Sequence, residues 1–430
     1  MGYKISMALW KKGFVEKEYG ICFAEPYIIY DSRGDSIEGG EDQPWATNQS
    51  LQLSKNQIGS FECDIPYELW HERYHLNRDD LVERLTYILV EEDESILFVG
   101  YLTEKSLTFD RSMRVYFTEC LGALDESDMV LDPKEYLLTC EADGSYGGEG
   151  KPPSLYYTIL DRANMVNPIE PMQYEAPTVR RAVKKDLSDD GQQIGTAWSF
   201  LQKYFLDEYD GYFYVKYVKD EAHPGFFRIV ARYELDIGDK TDQTVEYGKN
   251  LLDLDIEQGL PSDFCNEVCA LGTNTTTRGW WIFKRTTVTR IKGTAVNKDS
   301  CLKYGTIKRQ LYVDGNATQQ SLEKAAKEEL ANHPQESEMS MTVTAYDLAD
   351  IGMQTDRLRY MKKTRIISTP HGIDGLYVCT KVDIDPADPA GKQFTFGNPP
   401  KKLTDQQNKA SALAENIRAM VGGVIGYLNT

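Results

Sequence analysis

The chain has 430 residues, a mass of 48.9 kDa and a formal charge of −19. This length exceeds what one compact core accommodates and predicts two to four domains. A hydrophobic share of 41% and a charged share of 27% exclude a disordered chain, a collagen and a coiled-coil rod. The acidic balance argues against a nucleic-acid coat and against docking on an anionic membrane. It suits a wall that DNA slides past, because like charges repel, although solubility is the favoured explanation of the charge.

The N-terminus, MGYKISMALWKKGF, lacks the apolar core of a signal peptide. No window of about 18 apolar residues predicts a membrane span. The eight cysteines form no obvious disulfide framework, which favours reduced thiols and synthesis in a cytoplasm.

The first part of the chain, residues 1–125, has the pattern of a small β-barrel. Residues 85–90 and 95–102 are apolar runs on either side of an acidic stretch, Glu91 to Glu94, which predicts a hairpin with an acidic turn. Residues 107–120 continue the alternation of apolar and polar side chains. Several short strands at this spacing indicate a barrel or a sandwich.

Residues 126–242 change character and predict an inserted α/β domain. Between Thr196 and Glu208 apolar residues recur at helical spacing, and Thr196 is a candidate cap for the first turn. The strand pattern of residues 212–218 follows directly.

Residues 243–403 return to strand patterns and predict a second β-barrel domain. A helix at 319–332 interrupts them and ends at His333-Pro334. Residues 404–430 predict a C-terminal helix with Thr404 in a capping box. Its apolar residues have the 3-4-3 spacing of a short heptad seam, which favours contact between copies of this helix: Ala410, Leu413, Ile417 and Met420. The predicted fold class is α+β, mainly β, with two small barrels, an inserted α/β domain and a C-terminal helix.

The most specific chemical motif is His71-Glu72-Arg73-Tyr74-His75, which matches the H-E-x-x-H pattern of zinc peptidases. That chemistry requires a continuous helix, so that both imidazoles face one metal, and a third ligand. Residues 66–75 have room for two helical turns, but no third ligand follows at a suitable spacing. A surface helical turn is the favoured interpretation, and a zinc-dependent peptidase is the alternative.

Three other motifs have simple structural interpretations. Arg33-Gly34-Asp35 fits an exposed turn, Cys265 and Cys269 fit buried thiols, and Trp280-Trp281 fits strand core or interface. The Arg33–Asp35 loop and the tryptophan pair also leave open a host-binding adhesin. Because no nucleotide-binding glycine motif and no G-x-S-x-G is present, the sequence predicts no catalytic, cofactor-binding or metal-binding residues and no cofactor.

Several segments, read in order, resemble the baseplate-hub-like part of phage tail-associated lysin (Tal) proteins, also called prophage endopeptidase tail proteins. The nearest is Tyr247-Gly248-Lys249-Asn250-Leu251, which is similar to the F-G-x-N-L segment of that family. The other segments that carry the resemblance are Ile96–Leu102, Cys120–Ser127, Leu160–Asn164, Thr196–Phe213, Ala345–Leu348, Ser368–Asp374 and Phe396-Gly397. The resemblance extends from about residue 95 to 400, with residues 270–300 as an insertion.

The resemblance implies two related β-barrels, an α/β domain between them, and a homotrimer that forms a ring at the tail tip of the virion. The implied partners are the distal tail protein, the tail tube or tape-measure protein, and a separate receptor-binding or lysin protein. DNA would pass through the ring during infection. Lytic activity in this family resides in an added C-terminal domain. Since only about 30 residues follow Phe396-Gly397, too few for such a domain, no enzyme activity is expected.

Overall fold

The fold is that of a computed structural model, and its described residues are 2–9, 15–16, 20–23, 26–32, 45–93, 95–141, 145–147, 151–166, 172–175, 177, 183–188, 191–222, 225–261, 263–278 and 285–397. Arg33–Asp35, Trp280-Trp281 and the predicted helix 404–430 lie outside them. No helix within these ranges is long and apolar enough to cross a membrane.

Strands dominate the described chain. They are β1 Tyr3–Leu9, β2 Val15–Glu16, β3 Gly20–Cys22, β4 Tyr27–Asp31, β5 Thr47–Ser54, β6 Ser60–Ile65, β7 Thr86–Glu92, β8 Ser95–Leu107, β9 Met113–Glu119, β10 Asp128–Leu131, β11 Glu135–Leu137, β12 Met172–Tyr174, β13 Lys184–Asp186, β14 Gln193–Thr196, β15 Tyr212–Lys219, β16 Phe226–Glu234, β17 Lys240–Glu246, β18 Leu251–Gly259, β19 Glu267–Arg278, β20 Arg285–Val296, β21 Lys308–Asn316, β22 Glu338–Ala345, β23 Lys363–Ser368, β24 Ile373–Ile384 and β25 Gln393–Gly397.

The helical elements are fewer and shorter. The α-helices are α1 Leu155–Val166, α2 Ala197–Leu201, α3 Asp207–Tyr209, α4 Lys298–Tyr304 and α5 Gln319–Ala331. The π-helical and 3-10 segments are Glu68–Arg73, Arg78–Asp80, Cys120–Leu124, Gln202–Leu206, Thr369–His371 and Pro389–Gly391. The predicted α+β, mainly β fold class is confirmed.

The chain forms two compact units. The first comprises Met1–Leu254 and Thr342–Phe396, and the second is built on Asp255–Met341. The predicted domain boundaries, at residues 125, 242 and 403, stay a prediction.

A single sheet of the first unit contains strands from both ends of the chain. Its strands follow the order β4–β1–β7–β8–β9–β6–β5–β24, and β24 also pairs with β25 and β23. Strands β24 and β5 pair antiparallel, with Lys381 opposite Ser54 and Ile384 opposite Leu51. The strands predicted for two separate barrels therefore share one hydrogen-bonded ladder.

The predicted hairpin forms, but its acidic turn is shorter than expected. Strands β7 and β8 pair antiparallel, and Glu91 and Glu92 belong to β7 and pair with Ile96 and Ser95. The prediction that Glu91 and Glu92 form the turn is therefore wrong. Glu92 is 1% exposed, because its side chain enters a cluster of charges described below.

Residues 126–242 contain a mixed layer of helices and strands, all within the first unit. Ala197–Tyr209 is one helical segment with a π-helical middle, and the Thr196 hydroxyl accepts a hydrogen bond from Ser199 N, so the predicted cap is confirmed. Its aromatic side chains pack on α1 and β16, with Phe205 between the rings of Tyr156 and Tyr233 at centroid distances of 5.7 and 5.4 Å.

The second unit is a three-stranded sheet with one long helix. Strand β19 lies between β20, which is antiparallel to it, and β21, which is parallel. Helix α5, which was predicted, covers one face of the sheet through Leu322 and Ala326, against Val268 and Ala270. Helix α4 was not predicted, because its seven residues give no apolar period.

Replacing Gly293 with valine is expected to destabilise the second unit by about 1–3 kcal/mol. A Cβ at Gly293 would lie 2.5 Å from the backbone of Leu322 and Glu323, so α5 would have to move away from the sheet. Thermal or urea unfolding measures the effect. Thr294→Val is the matched control, because Thr294 is exposed one position further along β20. Equal stability of the two variants would contradict the packing described here.

Candidate functional site

The His71–His75 motif does not form the helix that zinc binding requires. The π-helical turn ends at Arg73, Tyr74 is its C-cap, and His75 leaves the helix with a φ of 54°. His71 has its Nδ1 2.9 Å from the carbonyl oxygen of Leu76, and its ring packs on Tyr67. The pair therefore lies in a surface turn held by local contacts.

The cysteine pair is also divided between two environments. Cys265 is buried in the apolar core of the second unit, where burial raises the pKa of its thiol. Cys269 is half-buried. Among the described residues no group of three or more His, Cys, Asp and Glu side chains has the arrangement of a metal site.

The most unusual site of the first unit is a buried cluster of opposite charges. The carboxylate of Glu92 accepts hydrogen bonds from Arg357 at 3.1 Å, from Lys392 at 2.7 Å and from Arg359. The side chains of Glu92 and Lys392 are each 2% exposed. Charges this deeply buried are stable only when they are paired and hydrogen-bonded.

Three aspartates complete the charge cluster around Arg357. Its guanidinium donates to Asp93 and Asp350 and lies 3.6 Å from Asp347, whose side chain is fully buried. Asp93 also accepts a hydrogen bond from the backbone nitrogen of Gly2. The cluster thus ties the N-terminal strand and the β7–β8 turn to the segment 347–359, more than 250 positions away in sequence.

Electrostatics within the charge cluster favour the ionised forms. Burial by itself raises the pKa of Glu92, but the positive charges of Arg359, Lys392 and Arg357 outweigh it and hold the pKa below the usual glutamate value. The pKa of Asp93 is lowered in the same way: its burial is offset by the hydrogen bonds from Gly2 and Arg357. Both groups are therefore ionised at neutral pH.

The segment that most resembles the Tal family forms a tight turn between β17 and β18. Asn250 is 2% exposed and fixes the turn, because its Oδ1 accepts from Glu246 N at 2.9 Å and its Nδ2 donates to Thr244 O at 3.2 Å. Gly248 has a φ of 78°, which favours glycine. The conformation of the turn thus explains the glycine and the asparagine of the F-G-x-N-L pattern.

A second similar segment, Ala345–Leu348, is bound to that turn. Tyr346 N donates to Asn250 O at 2.9 Å. Asp347 accepts from Gln243 Nε2 at 2.9 Å and from Leu358 N at 3.2 Å, and so holds the loop that carries Arg357. These two segments therefore position the charge cluster.

A third similar segment, Ser368–Asp374, packs on the same turn. Tyr247 N donates to Ile367 O at 2.9 Å, and the Tyr247 ring lies edge-on to His371 at 6.1 Å. Ser368 Oγ is 2.6 Å from His371 Nδ1. Segments separated by about 120 residues of sequence thus meet in one place, which we call the motif joint: Glu246–Leu252, Ala345–Leu348 and Ser368–Asp374.

A buried carboxyl that has no cation partner within the described residues lies elsewhere in the first unit, at the end of β9. Glu119 accepts hydrogen bonds from Gly59 N at 2.9 Å and pairs with the Tyr217 hydroxyl at 3.1 Å. Tyr217 Oη also lies 3.3 Å from Val99 O. Burial raises the pKa of Glu119 to about 7, and these hydrogen bonds offset only part of that effect.

This geometry suits a protonated Glu119. A phenol has one proton to donate and here faces two acceptors, Glu119 and Val99 O. If Glu119 is protonated, it donates to Tyr217, which then donates to Val99 O, and all three groups are satisfied. If it is ionised, the single Tyr217 proton serves only one of the two acceptors.

The sequence alone indicates the three segments of the motif joint but not the contacts that join them. Glu92 was predicted only as part of an acidic turn, and Arg357, Lys392 and Glu119 were not singled out. Nothing local in the sequence marks them, since their partners are distant along the chain. The Ser368 hydroxyl that contacts His371 belongs to a fully buried residue, so it is not accessible to a substrate from solvent. The motif joint and the charge cluster can resist separation of the strands that they connect.

Comparison with known proteins identifies part of the chain. Residues 239–407 match the family model of the prophage endopeptidase tail proteins. This region belongs to the prophage endopeptidase tail family. The prophage tail region includes all three segments of the motif joint, so the resemblance drawn from the sequence is confirmed. No curated protein matches the chain by sequence.

Two solved structures of tail proteins align with most of the chain. The 43 kDa tail protein of prophage MuSo2 from Shewanella oneidensis has a TM-score of 0.50 at 12% identity, over 92% of this chain and 98% of that one. The tail protein from Neisseria meningitidis MC58 has a TM-score of 0.49 at 13% identity, over 93% and 97% of the two chains. The first match shows that the fold of this chain is shared with a prophage tail protein beyond residues 239–407.

Proposed function

We propose that this chain is a structural hub protein at the tip of a phage or phage-like tail, that it forms a homotrimeric ring capping the tail tube, and that DNA passes through the ring during infection. The observation that carries the proposal is the motif joint: the segments that resemble the Tal family build a hydrogen-bonded junction, and Asp347 of that junction holds the loop that carries Arg357 of the charge cluster.

The construction of the first unit suits a ring component under mechanical load. Strands from both ends of the chain share one sheet, and the charge cluster ties residues 2, 92 and 93 to residues 350, 357 and 392. A load that separates the two ends must break backbone pairing and expose buried charges at the same time. A buried charge that loses its partner costs several kcal/mol.

The distribution of charge supports DNA passage without adhesion. Residues 255–341 contain eleven basic and eleven acidic residues, so the formal charge of −19 lies in the rest of the chain. At physiological salt the screening length is about 8 Å, and an acidic wall repels phosphates over that distance. Adhesion to DNA needs clusters of Lys and Arg.

The proposed partners follow from the family. They are two further copies of the chain, the distal tail protein, the tube or tape-measure protein, and a separate receptor-binding or lysin chain. The proposed location is the tail tip of the virion. We propose a non-enzymatic role, and the break of the helix at His75 gives no support to the peptidase alternative.

The trimer is tested by measuring mass in solution. Light scattering of the purified chain at micromolar concentration, alone and with the co-expressed distal tail protein, is expected to give about three times 48.9 kDa in at least one condition. Electron microscopy of that species should then show a threefold ring. A 48.9 kDa monomer under both conditions contradicts the proposal.

A further inference from the structure

The sheet of the second unit has one covered face and one open face. Gly272 and Gly293 lie on the covered face, where a Cβ would contact Leu322 of α5. Side chains alternate along a strand, so the neighbours of these residues point to the opposite side. On that opposite side Leu271 is half-buried, and Thr273, Thr275, Arg290 and Lys292 are exposed.

The open face is defined by its cross-strand pairs. Leu271 of β19 pairs with Lys292 of β20 and with Tyr312 of β21, and Thr273 pairs with Arg290. Tyr312 is 73% exposed, and Arg290 and Lys292 are exposed. Two residues further along β19, Thr275 pairs with Val288, which is 62% exposed.

Two cations of the open face are available to a partner. Lys308 is bound to Glu267 of the same face at 2.9 Å. Arg290 and Lys292 have no carboxylate partner within the described residues. The face therefore presents Arg290 together with the Tyr312 ring, and arginine and tyrosine are enriched in protein–protein interfaces.

We propose that the open face, made of Leu271, Val288, Arg290, Lys292 and Tyr312, docks on the acidic first unit of a second copy of this chain. This inference rests on the proposed oligomeric function and names the surface that makes the oligomer. Charge complementarity indicates this partner. Residues 255–341 have no net formal charge, and their open face is basic. The formal charge of −19 lies in the rest of the chain. The exposed apolar side chains favour a protein surface over DNA.

Charge reversal of the open face tests the docking. The double variant Arg290→Glu, Lys292→Glu is expected to raise the dissociation constant of the oligomer by about 100-fold or more, because like charges then face each other across the contact. Sedimentation equilibrium on the full chain at 50, 150 and 500 mM NaCl measures it. The wild-type oligomer should weaken as salt rises, since the screening length shortens.

A matched control separates a local contact from a change in net charge. Lys324→Glu, Lys327→Glu makes the same total charge change in the same unit, on exposed positions of α5, which covers the other face. This control should associate like the wild type. A further variant, Tyr312→Ser, removes the ring without a charge change and should weaken the oligomer about tenfold.

Three outcomes overturn the inference. If the wild type is an oligomer and the Arg290/Lys292 variant associates equally well, the open face is not the contact, while the proposed hub function stands. If the wild type is monomeric with and without its tail partner, the hub proposal fails as well. If the double reversal abolishes binding of a 20-base-pair duplex and leaves the oligomer unchanged, the face binds nucleic acid instead. Circular dichroism of each variant verifies that it is folded.

Discussion

Replacing Arg357 with methionine is expected to lower the free energy of unfolding of the first unit by about 3–5 kcal/mol. Methionine matches much of the arginine volume but leaves Glu92, Asp93, Asp347 and Asp350 without their shared cation. Lys392 and Arg359 remain beside Glu92. The buried Asp347 keeps only its neutral hydrogen-bond donors, Gln243, Ala349 and Leu358. Urea unfolding at pH 7 measures the change.

Arg365→Met is the matched control for Arg357→Met. Arg365 forms a bidentate pair with Asp374, but both side chains are more than half exposed, so its loss should cost less than about 1 kcal/mol. Similar losses for the two variants would show that the charge cluster contributes no more than a surface pair.

The charge cluster also makes the stability of the wild-type protein depend on pH in the acidic range. Since the pKa of Glu92 is lower in the folded than in the unfolded protein, its contribution is complete above the unfolded value of about 4.3 and is lost as pH falls through the folded value. We expect the first unit to lose stability below about pH 4.

Replacing Glu119 with glutamine is expected to stabilise the protein at alkaline pH by about 4 kcal/mol. The folded pKa of about 7 lies above the unfolded value of about 4.3, so the folded state binds the extra proton between them. The wild type therefore loses stability as pH rises from about 4.3 to about 7 and stays constant above that. Glutamine is neutral at every pH and can donate to Tyr217 while accepting from Gly59.

The measurement is the free energy of unfolding of both proteins at pH 4.5, 6, 7 and 8. The difference between Glu119→Gln and wild type should be small at pH 4.5 and grow to its full size by pH 8. Glu104→Gln, on the exposed side of β8, is the control and should show no such growth. A constant difference across the range would mean that Glu119 is ionised in the folded protein.

Local patterns in the sequence determined many elements of this protein. Apolar alternation predicts the β7–β8 hairpin, helical spacing and a threonine predict the capped segment at Ala197–Tyr209, and strong helix formers predict α5. These features depend on neighbours within a few residues, so a single chain reveals them. The three segments of the motif joint also stand out, because a turn at Gly248 and Asn250 constrains residue type directly.

Only the tertiary structure decided which polar residues are buried and what they meet. An acidic run such as Glu91 to Glu94 predicts a solvated turn, yet Glu92 is buried because Arg357, 265 positions later, supplies its charge partner. Glu119 is buried beside Tyr217, 98 positions away. The shared sheet likewise depends on the pairing of β5 with β24, across more than 300 residues. Long-range pairing is a property of the folded chain, and no local period in the sequence encodes it.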